Sequence, residues 1–563
     1  MKNSLRSIVS ALASAALLAG CASRPQVPLE LNIVSLNDFH GYLEGGRFSY
    51  TAAGTTQPQT LHAGGISTIA AALQAWRQED RQLMFVGAGD LIGASPAISS
   101  MWADEPTLTA MGMLGMRVSA TGNHEFDVGR AELLRQQHGG CASVRPEVAC
   151  KFTPDYRGAS FAYVAANVVD ADTGKTLLPA YRIEQAHGVK VAFIGAVIRN
   201  TPAMVLASGV TGLDFRDEAD SINRAMAGAR ADGATVFVAL VHEGGHTEEA
   251  IDQPDCSKLT GPIVGIARRL DPAIRLVVSG HTHKGFQCKV DERVVTQAEV
   301  GGHVLSRIKL LLDPATHAVR DIRVRNVVMK PGTWPADPAV DAYLKLVKAR
   351  SDAALARPVA KVAISPLSRK SSSAGESALG NLVADAMLEA TRAEGVQIAF
   401  MNQGGIRRDL DTGAGLTASY GQTQVVLPYA NTLVVMDLTG RQLRQVLEQQ
   451  WLRTNEDFDR QMLQVSRGFS YQWSAARPKG ERVVPGSIRL DGVPLSDTQV
   501  YRVAVNNFLA EGGDNFPLFR DGRNVRDTHI LDLDSFIAYL ARNERAGTPA
   551  GSNRPAGRVE KVD

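Results

Sequence analysis

Six of the twelve histidines in this chain fall in four short segments of its first half, and such clustering of a scarce residue needs a chemical cause. The six are His40, His124, His242, His246, His281 and His283. Asp38, Asp90 and Asn123 stand in or between the same segments. Oxygen donors mixed with imidazoles suit Zn, Mn, Fe or Co, and the lack of cysteine in these segments argues against a structural zinc site or a Cu(I) centre.

The elements that must position these side chains are β-strands. Each of the four histidine segments, and Gly89-Asp90 as a fifth, follows an apolar run that predicts a strand; the runs are residues 31–36, 83–86, 117–120, 236–241 and 276–278. In open α/β sheets, ligands bind at the carboxyl ends of the strands. Any one segment alone would be read as a polar strand end. Because five segments bring donors to such ends, we expect them to line one crevice.

The number of donors indicates two metal ions, since there are too many for one. Two ions roughly 3.5–4 Å apart need a bridging carboxylate, activate a water and polarise a phosphoryl oxygen. Asp90 is the candidate bridge.

One motif in the cluster is misleading. Residues 242–246 match the zinc-protease motif H-E-x-x-H literally. That motif requires a helix, and here two adjacent glycines follow a predicted strand. We therefore do not expect a protease, and His246 stays outside the ligand set.

The whole chain has the composition of a soluble enzyme. Its 563 residues carry 60 Lys and Arg against 58 Asp and Glu, with 44% hydrophobic residues. This balance excludes extensive disorder and a strongly basic binder of nucleic acid polymers.

Two α/β regions are predicted, joined by a helix. Strand and helix patterns alternate up to about residue 325, and residues 335–355 form an amphipathic pattern with Val340, Tyr343, Leu344 and Val347 on one face. A second α/β pattern has strands at 396–401, 433–438 and 501–505, and the residues past 546 are predicted to be a loose tail. The domain boundaries are a signal peptide 1–20, a first domain 21–330, a linker helix 331–358, a second domain 359–550 and a tail 551–563.

The start of the chain predicts export. Lys2 and Arg6 precede an apolar run at 8–19 that is too short to span a bilayer comfortably. Residues 18–21 (L-A-G-C) resemble the bacterial lipobox, which predicts lipidation of Cys21; an ordinary signal peptide with an incidental cysteine is the alternative. Ala22 fits lipoproteins sent to the outer membrane. The expected location is the outer membrane, through a lipid anchor, facing the periplasm or the cell surface.

Four further cysteines remain for that oxidising compartment: Cys141, Cys150, Cys256 and Cys288. Proximity favours pairing Cys141 with Cys150 and Cys256 with Cys288, although three connectivities are possible. A zinc site formed by these four is a weaker alternative because no C-x-x-C spacing is present.

The metal segments together resemble the calcineurin-like metallophosphoesterases, and among them the 5'-nucleotidase family. The segments are Asp38-x-His40, Gly89-Asp90, residues 122–127 (G-N-H-E-F-D), His242 and residues 280–283 (G-H-T-H). The second half is similar to that family's C-terminal domain at residues 376–382 (E-S-A-L-G-N-L), 402–407 (N-Q-G-G-I-R), 427–432 (L-P-Y-A-N-T) and 507–514 (N-F-L-A-E-G-G-D). The resemblance implies an α/β protein with an N-terminal calcineurin-like β-sandwich flanked by helices, a linker helix and a second α/β substrate-binding domain.

The resemblance also implies a ligand set and a catalytic pair. One metal would be held by Asp38, His40, Asp90 and His283, and the other by Asp90, Asn123, His242 and His281. The family shows Gln, Asn or His at position 283, and His should bind the metal more tightly than an amide. His124 would stabilise charge on the phosphoryl group or the leaving oxygen, and Asp127 would orient it. Asp127 could also be a helix N-cap, because residues 128–136 look helical.

The second domain would recognise the substrate. Tyr429 and Phe508 match the aromatic pair between which the family stacks a nucleobase; without the family each would be read as a core aromatic. Arg407 would bind phosphate or ribose, Asn402, Asn431 and Asp514 would bond ribose or base, and Arg369 is a further phosphate ligand or a surface arginine. Gln403 replaces the glycine of many members, and Tyr429 stands where Phe is common; its hydroxyl could change base preference.

The expected reaction is the hydrolysis of nucleoside 5'-monophosphates, and of nucleotide sugars as a possible extension, by two divalent ions (Zn, Mn, Co or Fe). The alternatives are a 2',3'-cyclic-nucleotide phosphodiesterase/3'-nucleotidase, a catalytically silent nucleotide-binding surface lipoprotein, and thiosulfate-ester hydrolysis, which the complete aromatic pair disfavours. The predicted partners are a nucleotide and a membrane, and the sequence says nothing about oligomeric state.

Overall fold

The computed structural model describes residues 27–452 and 461–563. The predicted signal peptide and the lipidation site Cys21 lie outside these described residues. Within the described ranges, no helix is long and apolar enough to cross a bilayer.

The first domain is built on two six-stranded sheets. Its strands are β1 (Leu29–Leu36), β2 (Gly45–Tyr50), β3 (Gln59–Gly64), β4 (Met84–Ala88), β5 (Met116–Ala120), β6 (Ala162–Val164), β7 (Val168–Asp170), β8 (Tyr181–Ala186), β9 (Val189–Val197), β10 (Leu213–Phe215), β11 (Val236–His242), β12 (Ile274–Ser279), β13 (Phe286–Val290), β14 (Arg293–Gln297), β15 (Val304–Leu312) and β16 (Val319–Val328). The sheet orders are β16-β15-β1-β4-β5-β6 and β13-β14-β12-β11-β9-β8. In each sheet four strands run parallel, β1, β4, β5 and β6 in one and β9, β11, β12 and β14 in the other.

The two sheets pack face to face over an apolar core. Val86 and Val118 of the first sheet meet Val191, Val238 and Leu276 of the second in one buried cluster. The runs predicted as strands are almost wholly apolar, as expected for strands buried on both faces.

Helices cover the outer faces of both sheets. They are α1 (Ile66–Glu79), α2 (Ala97–Ser100), α3 (Glu105–Met113), α4 (Arg130–His138), α5 (Glu218–Ala231) and α6 (Pro262–Arg269). Leu73 and Trp76 of α1 pack on the first sheet, and Ile222 of α5 and Ile263 of α6 pack on the second. The predicted β-sandwich flanked by helices is confirmed.

The linker helix α7 (Pro338–Leu355) begins where Asp337 caps it, since that carboxylate accepts hydrogen bonds from the amides of Ala339 and Val340. It therefore starts three residues later than the pattern predicted. Val340 and Val347 are buried in the core of the first domain.

The second domain has a five-stranded central sheet. Its strands are β17 (Pro358–Lys361), β18 (Ile398–Asn402), β19 (Thr417–Ser419), β20 (Thr432–Thr439), β21 (Leu463–Val465), β22 (Phe469–Trp473), β23 (Arg489–Leu490), β24 (Val493–Pro494), β25 (Val500–Asn506), β26 (Arg523–Leu531) and β27 (Val559–Lys561), and its helices are α8 (Ala378–Ala390), α9 (Tyr420–Gln424), α10 (Gly440–Gln449), α11 (Asn507–Ala510) and α12 (Asp532–Arg545). The order of the central sheet is β21-β18-β25-β20-β26. Helices α8 and α12 pack together over one of its faces.

The prediction of a loose tail past residue 546 is wrong. Strand β27 pairs in parallel with β22. Arg558 donates two hydrogen bonds to the carboxylate of Asp385 on α8, at 2.7 and 2.8 Å. The carboxylate of Glu376 accepts hydrogen bonds from the amides of Gly557 and Arg558, at 3.0 Å each.

The two predicted disulfides are present, joining Cys141 to Cys150 and Cys256 to Cys288. The second joins the loop after β11 to β13, next to the segment that carries His281 and His283.

We predict that Arg558→Ala destabilises the second domain by about 2–3 kcal/mol, because it leaves the nearly buried Asp385 carboxylate without its cation. Urea unfolding followed by tryptophan fluorescence measures the change. Glu560→Ala, at an exposed position of β27, should change stability by less than about 0.5 kcal/mol. Equal, small effects of both variants would mean that the tail contributes nothing.

Candidate active site

The two sheets bring the seven predicted metal ligands together. Asp38 and His40 follow β1, Asp90 follows β4, Asn123 follows β5, His242 ends β11, and His281 and His283 follow β12. The first five are buried, with at most 3% of their surface exposed.

The backbone at these positions is unusual. Five ligands have left-handed φ angles: Asp38 (50°), His40 (47°), Asp90 (51°), His281 (74°) and His283 (58°). This conformation is uncommon for non-glycine residues, costs about 1–3 kcal/mol at each, and persists where surrounding contacts impose it. Cross-strand hydrogen bonds do so here, because the amide of Asp38 donates to Gly89 and that of His40 to Asp90, both at 3.0 Å.

The donor atoms of the predicted ligands form two adjoining groups, each within 4.8 Å: Asp38, His40 and His283 in the first, and Asp90, His242 and His281 in the second. A third group of the same size, His40, Asp90 and His124, overlaps both. Asp90 lies between them, with Oδ2 3.0 Å from His242 Nε2 and 3.7 Å from His40 Nε2. Asn123 Oδ1 lies 3.1 Å from His281 Nδ1 and so extends the second group.

The hydrogen bonds of His242 show that a cation fits this site. Its Nδ1 donates to the carbonyl of Ala88 at 2.8 Å, so the neutral ring presents a lone pair at Nε2. That atom is buried, makes no hydrogen bond and faces Asp90. Burial disfavours the charged ring, yet Asp90 raises the pKa of His242 to about 10, so a metal ion at Nε2 would take the place of a proton there.

His40 repeats the arrangement in the first group. Its Nδ1 donates to the carbonyl of Gly93 at 2.8 Å, and its Nε2 lies 3.1 Å from Nε2 of His283. Burial holds the pKa of His40 well below its usual value and lowers that of His281 to about 3, so both rings are neutral and ready to bind a metal. The donor set therefore suits divalent ions.

Glu125 holds the metal loops together, a role that the sequence reasoning missed. Its buried carboxylate accepts hydrogen bonds from the amides of Gly122 (2.5 Å), Asp90 (2.9 Å) and Leu91 (2.9 Å) and from the hydroxyl of Tyr163 (3.2 Å). Burial, reinforced by the charge of Asp90, raises the pKa of Glu125 to about 7. Its position inside the G-N-H-E-F-D segment was the available signal.

His124 and Asp127 form a hydrogen-bonded pair at the cavity wall. Nδ1 of His124 lies 2.8 Å from the nearer oxygen of Asp127. Burial lowers the pKa of His124, but the charges of Asp127 and Asp90 outweigh it and raise the pKa above its usual value. Helix α4 begins at Arg130 after Gly129, so Asp127 is not its N-cap.

A cavity of about 410 Å³ lies between the domains and contains both halves of the predicted site. The metal side contributes Asp90, Asn123, His124, Asp127, His281 and His283, and the second domain contributes Arg369, Asn402, Arg407, Tyr429, Asn431, Phe508 and Asp514. Glu243, His246, Met204–Leu206 and Gln461 also line it and were not among the predicted site residues, although Glu243 and His246 belong to the H-E-x-x-H match. Residues 243–245 are not helical, which confirms that the H-E-x-x-H match is not a zincin helix.

Tyr429 reaches across the cavity to the metal side. Its ring stacks on that of His124 at 5.8 Å with 16° between the planes, and the guanidinium of Arg407 lies 5.8 Å from its centroid. Asn402 Nδ2 donates to Asp514 at 2.8 Å. Elsewhere in the described ranges the domains are joined by polar contacts such as the bond from Ser208 N to Glu511 at 3.0 Å.

We predict that Gly122→Ala abolishes metal binding while the protein stays folded, because a Cβ there would overlap the carboxylate of Asp90. Bound metal is measured by plasma mass spectrometry after desalting. The control is Gly265→Ala on α6, where a Cβ meets nothing within 4 Å and the metal content should stay that of the unmodified protein. Full metal content in Gly122→Ala would contradict the assignment of Asp90.

Comparison with known proteins agrees with this geometry. Residues 31–285 match the calcineurin-like phosphoesterase family, and residues 354–521 match the 5'-nucleotidase C-terminal domain. The chain is 29% identical to the endonuclease YhcR of Bacillus subtilis over 95% of its length, but it spans only 42% of that protein. It is also 29% identical to the cell wall protein Lmo0130 of Listeria monocytogenes, covering 96% of this chain and 70% of that one.

A solved structure shares the whole architecture. The 5'-nucleotidase precursor from Thermus thermophilus is 27% identical and superposes with a TM-score of 0.72, covering 95% of this chain and all of the other. With both domain matches in this order and a fold shared across nearly the full described length, the chain belongs to the 5'-nucleotidase family.

Proposed function

We propose that this protein hydrolyses nucleoside 5'-monophosphates to nucleoside and phosphate with the help of two divalent metal ions. The observation that carries the proposal is the single cavity that joins the metal ligands to the aromatic and amide side chains of the second domain. Membership in a family of phosphate-monoester hydrolases supports it.

In this proposal Asp38, His40, Asp90 and His283 hold one ion, and Asp90, Asn123, His242 and His281 hold the other. Two bound ions would activate a water at neutral pH and offset the charge of the phosphoryl oxygens.

The protein's own groups then act on the phosphate and the leaving oxygen. Asp127 holds His124 by Nδ1 and leaves Nε2 as the ring nitrogen available to the substrate. The raised pKa favours the charged ring, which stabilises the transferring phosphoryl group or protonates the departing 5'-oxygen. Arg407 and Arg369 bind phosphate oxygens.

The nucleoside would lie against the second domain. Phe508 lines the cavity, and among the described residues no other ring pairs with it. Tyr429, which contacts His124 and Arg407 here, would form the other side of the stack when the second domain turns about α7. Asn402, Asn431 and Asp514 would bond the ribose or the base edge.

We also propose that the protein is exported and anchored by a lipid on Cys21, with the catalytic domains outside the cytoplasm. The signal sequence and the lipobox support this. Retention of a Cys21→Ser variant in the membrane fraction would contradict it.

The decisive assay measures phosphate release by the metal-stripped protein resupplied with Mn, Co, Zn or Mg, using AMP, UMP, UDP-glucose and 2',3'-cyclic AMP. Metal-dependent release from AMP is the expected result. Turnover of the cyclic nucleotide alone would assign the protein to the alternative phosphodiesterase activity, and no turnover with any metal would favour a binding protein.

We predict that His124→Ala lowers kcat for AMP by about 10²–10⁴ and leaves both metals bound, because the ring acts on substrate. The measurement pairs steady-state kinetics with metal analysis. This distinguishes the catalytic role from a ligand role, since His124 also lies within 4.8 Å of the donors of His40 and Asp90. Loss of metal in the variant would reassign the residue. His529→Ala, at an exposed histidine, is the control.

We predict that Phe508→Ala raises KM for AMP by about 10–100-fold, because stacking of one base contributes about 1–3 kcal/mol. Its effect on the hydrolysis of ribose 5-phosphate, which has no base, should be small. Equal losses with both substrates would show that Phe508 is structural.

A further inference from the structure

Next to the active-site cavity lies a buried carboxyl group that the proposed function does not use, that of Asp532. The residue stands at the start of α12, and only 1% of its surface is exposed. Its backbone amide donates to the carbonyl oxygen of Asn431 at 2.8 Å. Asn431 lines the cavity and Asp532 does not, so Asp532 can act on a bound substrate through Asn431.

The backbone around Asn431 is fixed, which leaves its side-chain amide as the part that can turn. Ala430 before it has a left-handed φ of 54°, a conformation that is costly for a residue with a Cβ and persists where contacts impose it. Thr432 after it begins β20 and pairs with Leu531 of β26. When the amide turns by half a circle, its oxygen and its NH2 group exchange places and the backbone does not move.

The two oxygens of the Asp532 carboxyl group have different tasks. Oδ1 accepts a hydrogen bond from the amide of Leu533 at 2.7 Å, and the side chain of Asn431 forms a further hydrogen bond with the group. Because the amide of Leu533 can only donate, a proton on the carboxyl group belongs on Oδ2. Burial raises the pKa of Asp532 to about 7 against the lowering effect of these two hydrogen bonds, so the ionised and neutral forms both occur near neutral pH.

Asp534 is the charged group with the largest effect on Asp532, and its negative charge raises the pKa of Asp532 further. Titratable groups on the elements packed against α12 have other partners or face solvent. Glu389 and Asp385 of α8 pair with Arg542 and Arg558, Tyr420 of α9 lies under the guanidinium of Arg357, Asp527 of β26 accepts from Thr432 and lies beside His529, Arg526 of β26 pairs with Glu394, and Lys361 of β17 is exposed. The proton equilibrium of Asp532 therefore depends on burial and on Asp534.

The protonation state of Asp532 decides what the Asn431 amide can offer to a base. An ionised carboxylate only accepts, so it holds the NH2 group of Asn431 and leaves the amide oxygen, an acceptor, toward the cavity. A neutral carboxyl group donates from Oδ2, so it holds the amide oxygen and leaves the NH2 group, a donor, toward the cavity. An amino group on a purine matches the acceptor, and a keto group at the same ring position matches the donor.

We propose that Asp532 is a positioning residue that sets base preference by orienting the side-chain amide of Asn431. Its ionised form selects a base with an amino group at the ring position that meets Asn431, as in AMP. Its neutral form selects a base with a keto group there, as in IMP. This inference rests on the proposed function, and it makes the choice of base change across neutral pH without any change at the metal centre.

The test compares AMP with IMP on the full metal-loaded chain, about one pH unit below and about one above neutrality. The measured quantity is the ratio of kcat/KM for AMP to kcat/KM for IMP. Groups that act on the phosphate, such as His124, affect both substrates alike and cancel in this ratio. The ratio should rise about tenfold from the lower to the higher pH, the effect of one mismatched hydrogen bond.

Two variants separate the role of Asp532 from support of the fold. In Asp532→Asn, the amide of Leu533 keeps the side-chain oxygen, so the new NH2 group donates to Asn431 at every pH. IMP should then be preferred throughout, and the ratio should no longer follow pH. Asp534→Asn, at an exposed position, removes the charge that raises the pKa of Asp532. It should move the change in ratio to lower pH and leave the ratio at both extremes as in the unmodified protein.

Three results would overturn the inference. One is a ratio that does not change with pH in the unmodified protein. Another is a ratio that still follows pH in Asp532→Asn. The third is an equal loss of kcat/KM with AMP and IMP in that variant, which would show that Asp532 only supports the fold.

Calorimetry with adenosine and inosine at the same two pH values separates this inference from the proposed function, because binding of a nucleoside needs no turnover. An inactive protein whose nucleoside preference still changes with pH would refute only the nucleotidase proposal. A protein that hydrolyses AMP with a preference fixed at all pH values would refute only the role of Asp532.

Discussion

The first domain depends on one constraint: buried carboxylates and imidazole lone pairs face one another at the ends of five strands. In water such groups would separate, and in a dry interior their proximity is tolerable only with positive charge between them. The parallel strands bring these groups to one edge of each sheet. Hydrogen bonds between neighbouring strand ends hold the ligand residues in their left-handed backbone conformation. Glu125 adds a further restraint, because one carboxylate holds the turns after β4 and β5 at a fixed separation. Folding of these loops and binding of metal are therefore thermodynamically coupled, so that a change that destabilises the loops also weakens metal binding.

The second domain depends on this centre in a different way. In the proposed mechanism a metal-activated water can attack many phosphate esters, so the choice among substrates would come from side chains that line the second-domain side of the cavity, above all Tyr429 and Phe508. Those side chains lie on a domain that is joined to the first by the helix α7, and relative motion of two such domains is the usual expectation. Such a rotation would explain how Tyr429 can contact His124 here and still admit a base in the proposed mechanism.

The catalytic half of the molecule was more predictable from sequence than the rest. Ligands such as Asp90 and His242 follow apolar strands directly, so a local pattern locates them, and every predicted strand occurs with shifts of a few residues at its ends. The role of Glu125 was missed because its partners are backbone amides that the fold brings together, and the amino-acid sequence does not show which amides will meet. Asp127 was open to two interpretations because helix starts are set by capping geometry, and here Gly129 precedes the helix. The tail was misjudged for a similar reason, since a three-residue strand such as β27 is stabilised by a partner some ninety residues earlier.

That last strand also determines the order in which the protein can fold. Glu376 and Asn381, near the start of the second domain, hold the backbone of residues 556–558. A growing chain that has made everything up to β26 still lacks the groups that satisfy these buried side chains. The first domain, whose sheets are complete by β16, can fold much earlier. A nascent chain should therefore pass through a stage in which a finished metal-binding domain carries an incomplete substrate domain, exposed to proteases and chaperones until residue 559 has emerged.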